Sequence, residues 1–242
     1  MTVDGWDVSE WLPPGLWDWE ALRAASAERV EAGRPPLFII ARATYGTKVD
    51  ATVAEYARLC RAHGVVFGAY MFFRQVHTVA EHLAAWTRAM DLVDGLRDGE
   101  IVPALDLEDN VAHGDGPVRA AIWNDACPEI VARWRDYYGG AMVYCSSGFP
   151  TALGPPAAHA WMWDPGVRHW VADWAMPDGD PRTPFHRAPW SIHQPMRRAS
   201  PEFAGGRHAI DVLALSPRGL AELLIDRDPY WPMVAGETSE DW

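Results

Sequence analysis

Through its first two-thirds the chain alternates short apolar runs with amphipathic stretches, a pattern that few folds accommodate. Residues 5–9, 37–41, 65–73, 101–108 and 141–146 read as strands. Between them, 17–31, 51–63, 78–96 and 118–138 read as helices. In the second of these, Ala54, Ala57, Leu59 and Cys60 form a rough apolar stripe, and Gly64 supplies the stop. After Ser146 the pattern changes: residues 148–189 are rich in Pro, Gly, His and Trp and show no convincing helix. Three further strands are read at 168–174, 190–193 and 208–213. Five βα units followed by three strands predict an α/β fold, a modified TIM-like barrel whose last third is irregular. With no internal repeat and no linker, residues 1–228 are expected to form one catalytic barrel and 229–242 an acidic tail.

Charge and composition narrow the function. The net charge is −12, from 33 acidic and 21 basic residues. Nucleic acid is therefore not an expected partner, because binding it requires a basic face. The longest apolar stretch, 65–73, is too short to span a bilayer, so no membrane insertion is expected. Asp4, Asp7 and Glu10 stand where a signal peptide would need basic and then apolar residues, which predicts synthesis in the cytoplasm without such a peptide. The three cysteines, Cys60, Cys127 and Cys145, are odd in number and widely spaced, and read as buried or free thiols. Fourteen tryptophans are the compositional outlier; most are expected to pack in the core, and several in one barrel mouth would form stacking platforms for sugar rings.

The chemistry centres on Leu105-Asp106-Leu107-Glu108. Residues i and i+2 of a strand share a face, so Asp106 and Glu108 project together, roughly 6.5–7 Å apart along the backbone. Leu105 and Leu107 face the covering helices. Two carboxyls at the end of a barrel strand lie where such barrels build active sites, and glycoside cleavage uses paired carboxyls of unlike protonation. By itself an Asp-x-Glu strand end is a weak signal, equally compatible with a cap and solvated loop charges. Asp7 on the first strand and Asp211 on the last become neighbours if the barrel closes, which would bring four carboxyls to one mouth.

These residues, in this order, resemble the family 25 glycoside hydrolases, muramidases often encoded by phages as endolysins. The resemblance runs from Asp7 to about Leu215. It includes Asp7-Val8-Ser9, Trp17-Asp18-Trp19, the run from Ile39 to Thr47, the run from Val66 to Phe72, Leu105 to Glu108, His169 to Ala172, Trp190 to Gln194 and the Asp211 strand. It implies a barrel of five βα units plus three strands. It also implies that Glu108 is the general acid, that Asp106 assists at the reacting centre, and that Asp7 and Asp211 complete an acidic floor. Tyr70, Phe72, Arg42, Tyr144, Trp170 and Gln194 are the implied substrate-binding residues. The implied partner is bacterial peptidoglycan, cut as a β-1,4-linked glycan by a monomer acting on the cell wall after lysis or from a phage particle. The chain departs from the family pattern at Arg42 for Lys, Tyr45 for Glu, Met71 for His, Pro195 for Tyr and Leu213 for Asn.

Other chemistries fit less well. A chitinase-type relay needs two further Asp where Ile101 and Ala104 stand. His77 and His82 have neither spacing of a zinc-helix motif and read as surface residues at a helix start, so no metal and no cofactor is expected. Ser146-Ser147-Gly148 lacks the Gly-x-Ser-x-Gly elbow. The alternative from another class is a non-catalytic wall-binding or virion structural protein on the same barrel. With Arg42 as the one evident cation near the four carboxyls, at least one of them is expected to stay protonated, with Glu108 the expected member.

Overall fold

Among the described residues there are ten strands: β1 (Gly5–Val8), β2 (Phe38–Tyr45), β3 (Lys48–Val49), β4 (Val66–Phe72), β5 (Ala104–Leu107), β6 (Ala141–Ser146), β7 (Val167–Ala172), β8 (Ile192–Gln194), β9 (Arg197–Ala199) and β10 (Ala209–Leu215). Eight of them close into a ring, β1-β2-β4-β5-β6-β7-β8-β10 and back to β1. The computed structural model describes residues 3–176, 180–182, 190–195, 197–199, 209–216 and 219–226; the tail expected at 229–242 lies outside them. All ring pairings from β1 to β8 are parallel, and β10 runs antiparallel to both β8 and β1. The predicted barrel of eight strands is therefore observed.

The α-helices among the described residues cover the outside: α1 (Trp19–Glu31), α2 (Val53–His63), α3 (Val79–Val93) and α4 (Ala120–Tyr138). Local chemistry sets their ends. Asp18 caps α1 by accepting from the Ala21 amide at 3.0 Å. Gly64 ends α2 in the left-handed conformation, with φ 65°. Thr78 and Glu81 form a reciprocal capping box at the start of α3. The fifth unit differs from the first four. After β6 come two 3-10 segments, Phe149–Leu153 and Pro156–Trp163, and no α-helix. Pro150, Pro155 and Pro156 remove backbone donors there, and Gly148 and Gly154 bracket the first segment.

The core lies inside the ring and between the ring and the helices. β2 is buried from Phe38 through Thr44, on both faces, as barrel strands are. It runs four residues past the predicted end, because the buried Arg42 and Thr44 continue the ladder with β4. β5 starts later than predicted: Pro103 cannot donate to a ladder, and Ile101 makes only an isolated bridge with Leu224. Gly68 permits close packing, since a Cβ there would meet Ile101 Cβ at 3.0 Å. Cys60, Cys127 and Cys145 are buried free thiols, as expected.

One sequence expectation is corrected here. His82 is buried, not on the surface. Its ring stacks on Phe73 (centroids 4.7 Å apart), and Nε2 lies 3.0 Å from the Arg74 carbonyl. The helix-start spacing put it outside, but its position one turn into α3 turns it under the loop that follows β4.

Candidate active site

The parallel strands deliver their C-terminal ends to one mouth, and the reversed β10 delivers its N-terminal end there. This is why Asp7 pairs in register with Asp211, although one lies near a strand's end and the other near a strand's start. Across the ring Phe72 pairs with Asp106, and Asp106 with Tyr144. A cavity of about 870 Å³ opens on this level. Asp7, Arg42, Tyr70, Phe72, Asp106, Glu108, Tyr144, Gln194 and Asp211 all line it. Nine of the ten site residues expected from sequence are thus brought together.

Trp170 is the tenth, and it does not line the cavity. It is 1% exposed and packs edge-on against Tyr70 and Tyr144, with ring centroids 6.1 and 4.7 Å away. Its indole Nε1 donates to Gln194 Oε1 at 3.0 Å. Its contacts are with lining residues, so it holds the wall from behind.

The carboxyls sit where charge is costly. Burial pushes Asp7 well above the usual aspartate range, and the neighbouring Asp211 and Glu108 push the same way. Burial raises Asp106 as well, followed by the charges of Glu108 and Asp7. Asp106 and Glu108 lie close enough to couple electrostatically, and Tyr70 lies beside Asp7. Among the described residues, the buried Oδ1 atoms of Asp7 and Asp106 have no hydrogen-bond partner. Burial and the carboxylates raise the phenols of Tyr70 and Tyr144, so both stay protonated and able to donate.

Arg42 does not neutralise this cluster alone. Its Nε donates to Asp50 at 3.0 Å and its Nη2 to Glu10 at 3.0 Å, so much of its charge is already matched. A second guanidinium, Arg182, lies at the rim, where it forks onto the buried Asp173 with both contacts at 2.9 Å. With Asp109, the lining then counts six carboxylates against two engaged arginines. No group of three or more His, Cys, Asp or Glu placed to hold a metal occurs among the described residues.

Sequence reasoning missed two kinds of residue. The first is the rim: Trp11, Leu12, Phe149, Asp173, Trp174 and Arg182. Asp173 and Trp174 directly follow a barrel strand, and that position was the available signal. The second is a polar clasp behind the site. Gln75 is buried, and its side chain donates to the carbonyls of Asp115 (2.7 Å) and Pro117 (2.8 Å) while accepting from Arg119 N (2.9 Å) and Trp123 Nε1 (2.8 Å). Beside it Arg74 is ion-paired with Asp115, and the Tyr45 hydroxyl hydrogen-bonds Asn110. Together these fasten the segment 108–119, which begins with Glu108, to the end of β2 and the loop after β4. A single glutamine in a loop carries no sequence signal for such a role.

Neither a family model nor a curated protein sequence matches the chain. Solved structures do. A family 25 glycosyl hydrolase from Bacillus anthracis is similar at a TM-score of 0.68 and 16% identity, over 93% of this chain and 94% of that one. A bacterial lysozyme from Streptomyces coelicolor is similar at 0.68 and 20% identity, over 92% and 95%. The catalytic domain of endolysin ply40, from a bacteriophage of Listeria monocytogenes, is similar at 0.61 and 18% identity, over 92% and 97%. At such identities the likeness establishes a shared fold along nearly the whole chain.

Proposed function

We propose that this barrel is a glycoside hydrolase of the family 25 type that cleaves peptidoglycan, an N-acetylmuramidase. The observation that carries the reading is the convergence of the buried Asp106 with Glu108, Asp7 and Asp211 on one cavity. The proteins of the same fold are described as glycosyl hydrolase and lysozyme, which fits that chemistry.

In this reading Glu108 is the general acid. It delivers a proton to the glycosidic oxygen of the β-1,4 bond between N-acetylmuramic acid and N-acetylglucosamine as that bond breaks. Burial and the neighbouring charges raise Asp106, so the crowded carboxyls favour keeping a proton among them. Asp106, deep and level with Phe72 and Tyr144, supports the positive charge that develops at the sugar's anomeric carbon, directly or through the N-acetyl group. The unpartnered Oδ1 atoms of Asp7 and Asp106 are acceptors available to substrate hydroxyl or amide groups. Tyr70 and Tyr144 are donors, Phe72 an apolar wall, and Gln194 an amide fixed by Trp170. The substrate is the bacterial cell wall, reached after lysis or from a particle; no helix among the described residues is long and apolar enough to cross a membrane.

Mass spectrometry of the products released from purified peptidoglycan tests the reading. New reducing ends on muramic acid are expected. Reducing ends on glucosamine, anhydro-muramic products, or intact walls would overturn it.

A further inference from the structure

Twelve of the fourteen tryptophans are among the described residues. Ten of those are buried or half-buried. The two that are not, Trp11 at 79% and Trp174 at 60% exposed, both line the same cavity. Resting on the glycan-hydrolase reading above, we propose that Trp11 and Trp174 are stacking platforms for outer sugars of a bound β-1,4-linked N-acetylhexosamine chain.

Both indoles stand on turns that are already fixed. Trp11 lies in a turn after β1 closed by Leu12 N to Ser9 O at 2.9 Å. Its neighbour Glu10 is held by Arg42 and by Lys48 (2.8 Å), and the Glu10 amide donates to Asp50 at 3.0 Å. Trp174 follows β7 in a turn closed by Met176 N to Asp173 O at 3.1 Å. The Asp173 carboxylate beside it is clamped by Arg182, and that pairing lowers the Asp173 pKa. An exposed indole on a rigid mount loses little freedom when a ligand covers it, which is the economy of a preorganised site. Among the described residues neither ring stacks on another ring or makes a hydrogen bond, and both are largely exposed.

Position and charge select the ligand. On the ring, β1 and β7 are separated by β8 and β10, so the two platforms occupy different parts of the rim. A ligand touching both must extend across the mouth. The rim's guanidiniums are matched by Glu10, Asp50 and Asp173, while the floor remains acidic, so an anionic polymer is repelled. An uncharged chain with C–H ring faces, hydroxyls and amides suits both the indoles and the floor.

The test is binding of soluble β-1,4 N-acetylglucosamine oligomers, trimer and hexamer, by titration calorimetry and by quenching of tryptophan fluorescence. Wild type and Glu108→Gln are both used, so that cleavage does not enter. The hexamer should bind more tightly than the trimer. Trp11→Ala and Trp174→Ala should each weaken the hexamer by roughly 3- to 10-fold and the trimer less than about twofold, with Trp→Phe recovering most of the loss. Equal affinity for trimer and hexamer, no hexamer binding, or a hexamer affinity unmoved by both alanine variants would overturn the platforms. Failure of the catalytic reading shows separately, as binding by wild type with no cutting of peptidoglycan.

Discussion

The two sides of the barrel mouth are built on opposite principles. On the β4–β5 side, buried polar side chains tie one loop to another: Gln75 spans Asp115, Pro117, Arg119 and Trp123, and Arg74 pairs with Asp115. On the β7–β1 side, short turns carry large aromatic rings into solvent at Trp174 and Trp11. The first side presents Asp106 and Glu108, whose placement must be held to a fraction of an ångström if they act on one bond. The second presents surfaces whose fit to a long ligand tolerates more. In this comparison the fastened side governs the chemical step and the open side governs reach along the glycan.

The largest effect expected separates the two sides directly. Glu108→Gln should lower peptidoglycan clearing by about 10²–10⁴-fold, because the amide has no proton to give the leaving oxygen. Its affinity for a long oligosaccharide should stay within a few-fold of wild type. A Gln variant that clears walls normally, measured by turbidity, would remove Glu108 from the mechanism and the β4–β5 side from its role.

Asp106→Asn should also lose most activity, and it should do so while making the protein more stable. Burial and like charge raise the Asp106 pKa, so the folded state binds more protons than the unfolded state from the ordinary aspartate range upward. Stability then falls as pH rises through that window, and at neutral pH the carboxyl is a cost. Removing the charge should raise Tm by roughly 2–4 °C for each ~1 kcal/mol recovered. Calorimetry showing a lower Tm at pH 7 would mean that the carboxylate stabilises the fold after all.

These particulars show what could be read from the amino-acid sequence. The strand end at Asp106 and Glu108 was legible because period 2 puts both on one face, and the barrel was legible because apolar runs and helices alternate. Asp211 was found although β10 runs the other way, because closure alone makes first and last strands neighbours. Trp170 was legible as a strand residue but not as a support, since an inward strand position does not say how deep it lies; at 1% exposure it stands behind Tyr70 and Tyr144. Trp11 and Trp174 look like any other tryptophan in a list of fourteen, because exposure is set by tertiary structure. Gln75 was invisible for the same reason: its partners lie about forty residues away in Asp115 to Trp123.

Gln75→Leu asks how much the fastening contributes. Two carbonyls, the Arg119 amide and the Trp123 indole would lose their partner, and each buried group left unpaired costs roughly 1–3 kcal/mol. Some would find water, so a net loss of at least about 2 kcal/mol, near 4–8 °C in Tm, is expected. The fall in turnover should exceed the change in KM, because the segment carrying Glu108 loosens while the rim is untouched. A variant whose KM rises with unchanged turnover would place Gln75 on the binding side of the comparison.

The smallest effect expected concerns acid, and it acts on the fastened side alone. Burial pushes His82 from 6.5 down to about 4, because the ring lies against Phe73 beneath the loop bearing Arg74 and Gln75. His77 lowers it further, while the Arg74 carbonyl, Glu81 and Asp115 act in the opposite direction. A base whose folded pKa is depressed binds fewer protons folded than unfolded, so its contribution to stability is lost as pH falls from about 6.5 toward 4. Asp7 and Asp106 oppose this, since acid relieves their buried charge. The net change should be modest, on the order of 1 kcal/mol, with opening of the loop limiting the penalty. Hydrogen exchange resolves the two contributions: from pH 6.5 to 4.5, amides at 73–78 and 110–119 should lose protection relative to those of β1 and β2. His82→Phe keeps the stacking on Phe73 and cannot take a proton, so the pH dependence of that difference should disappear. If the loop amides loosened equally in His82→Phe, His82 would not be the acid sensor; the Arg74–Asp115 pair would not explain the loss either, because Asp115 takes a proton only below the usual aspartate range.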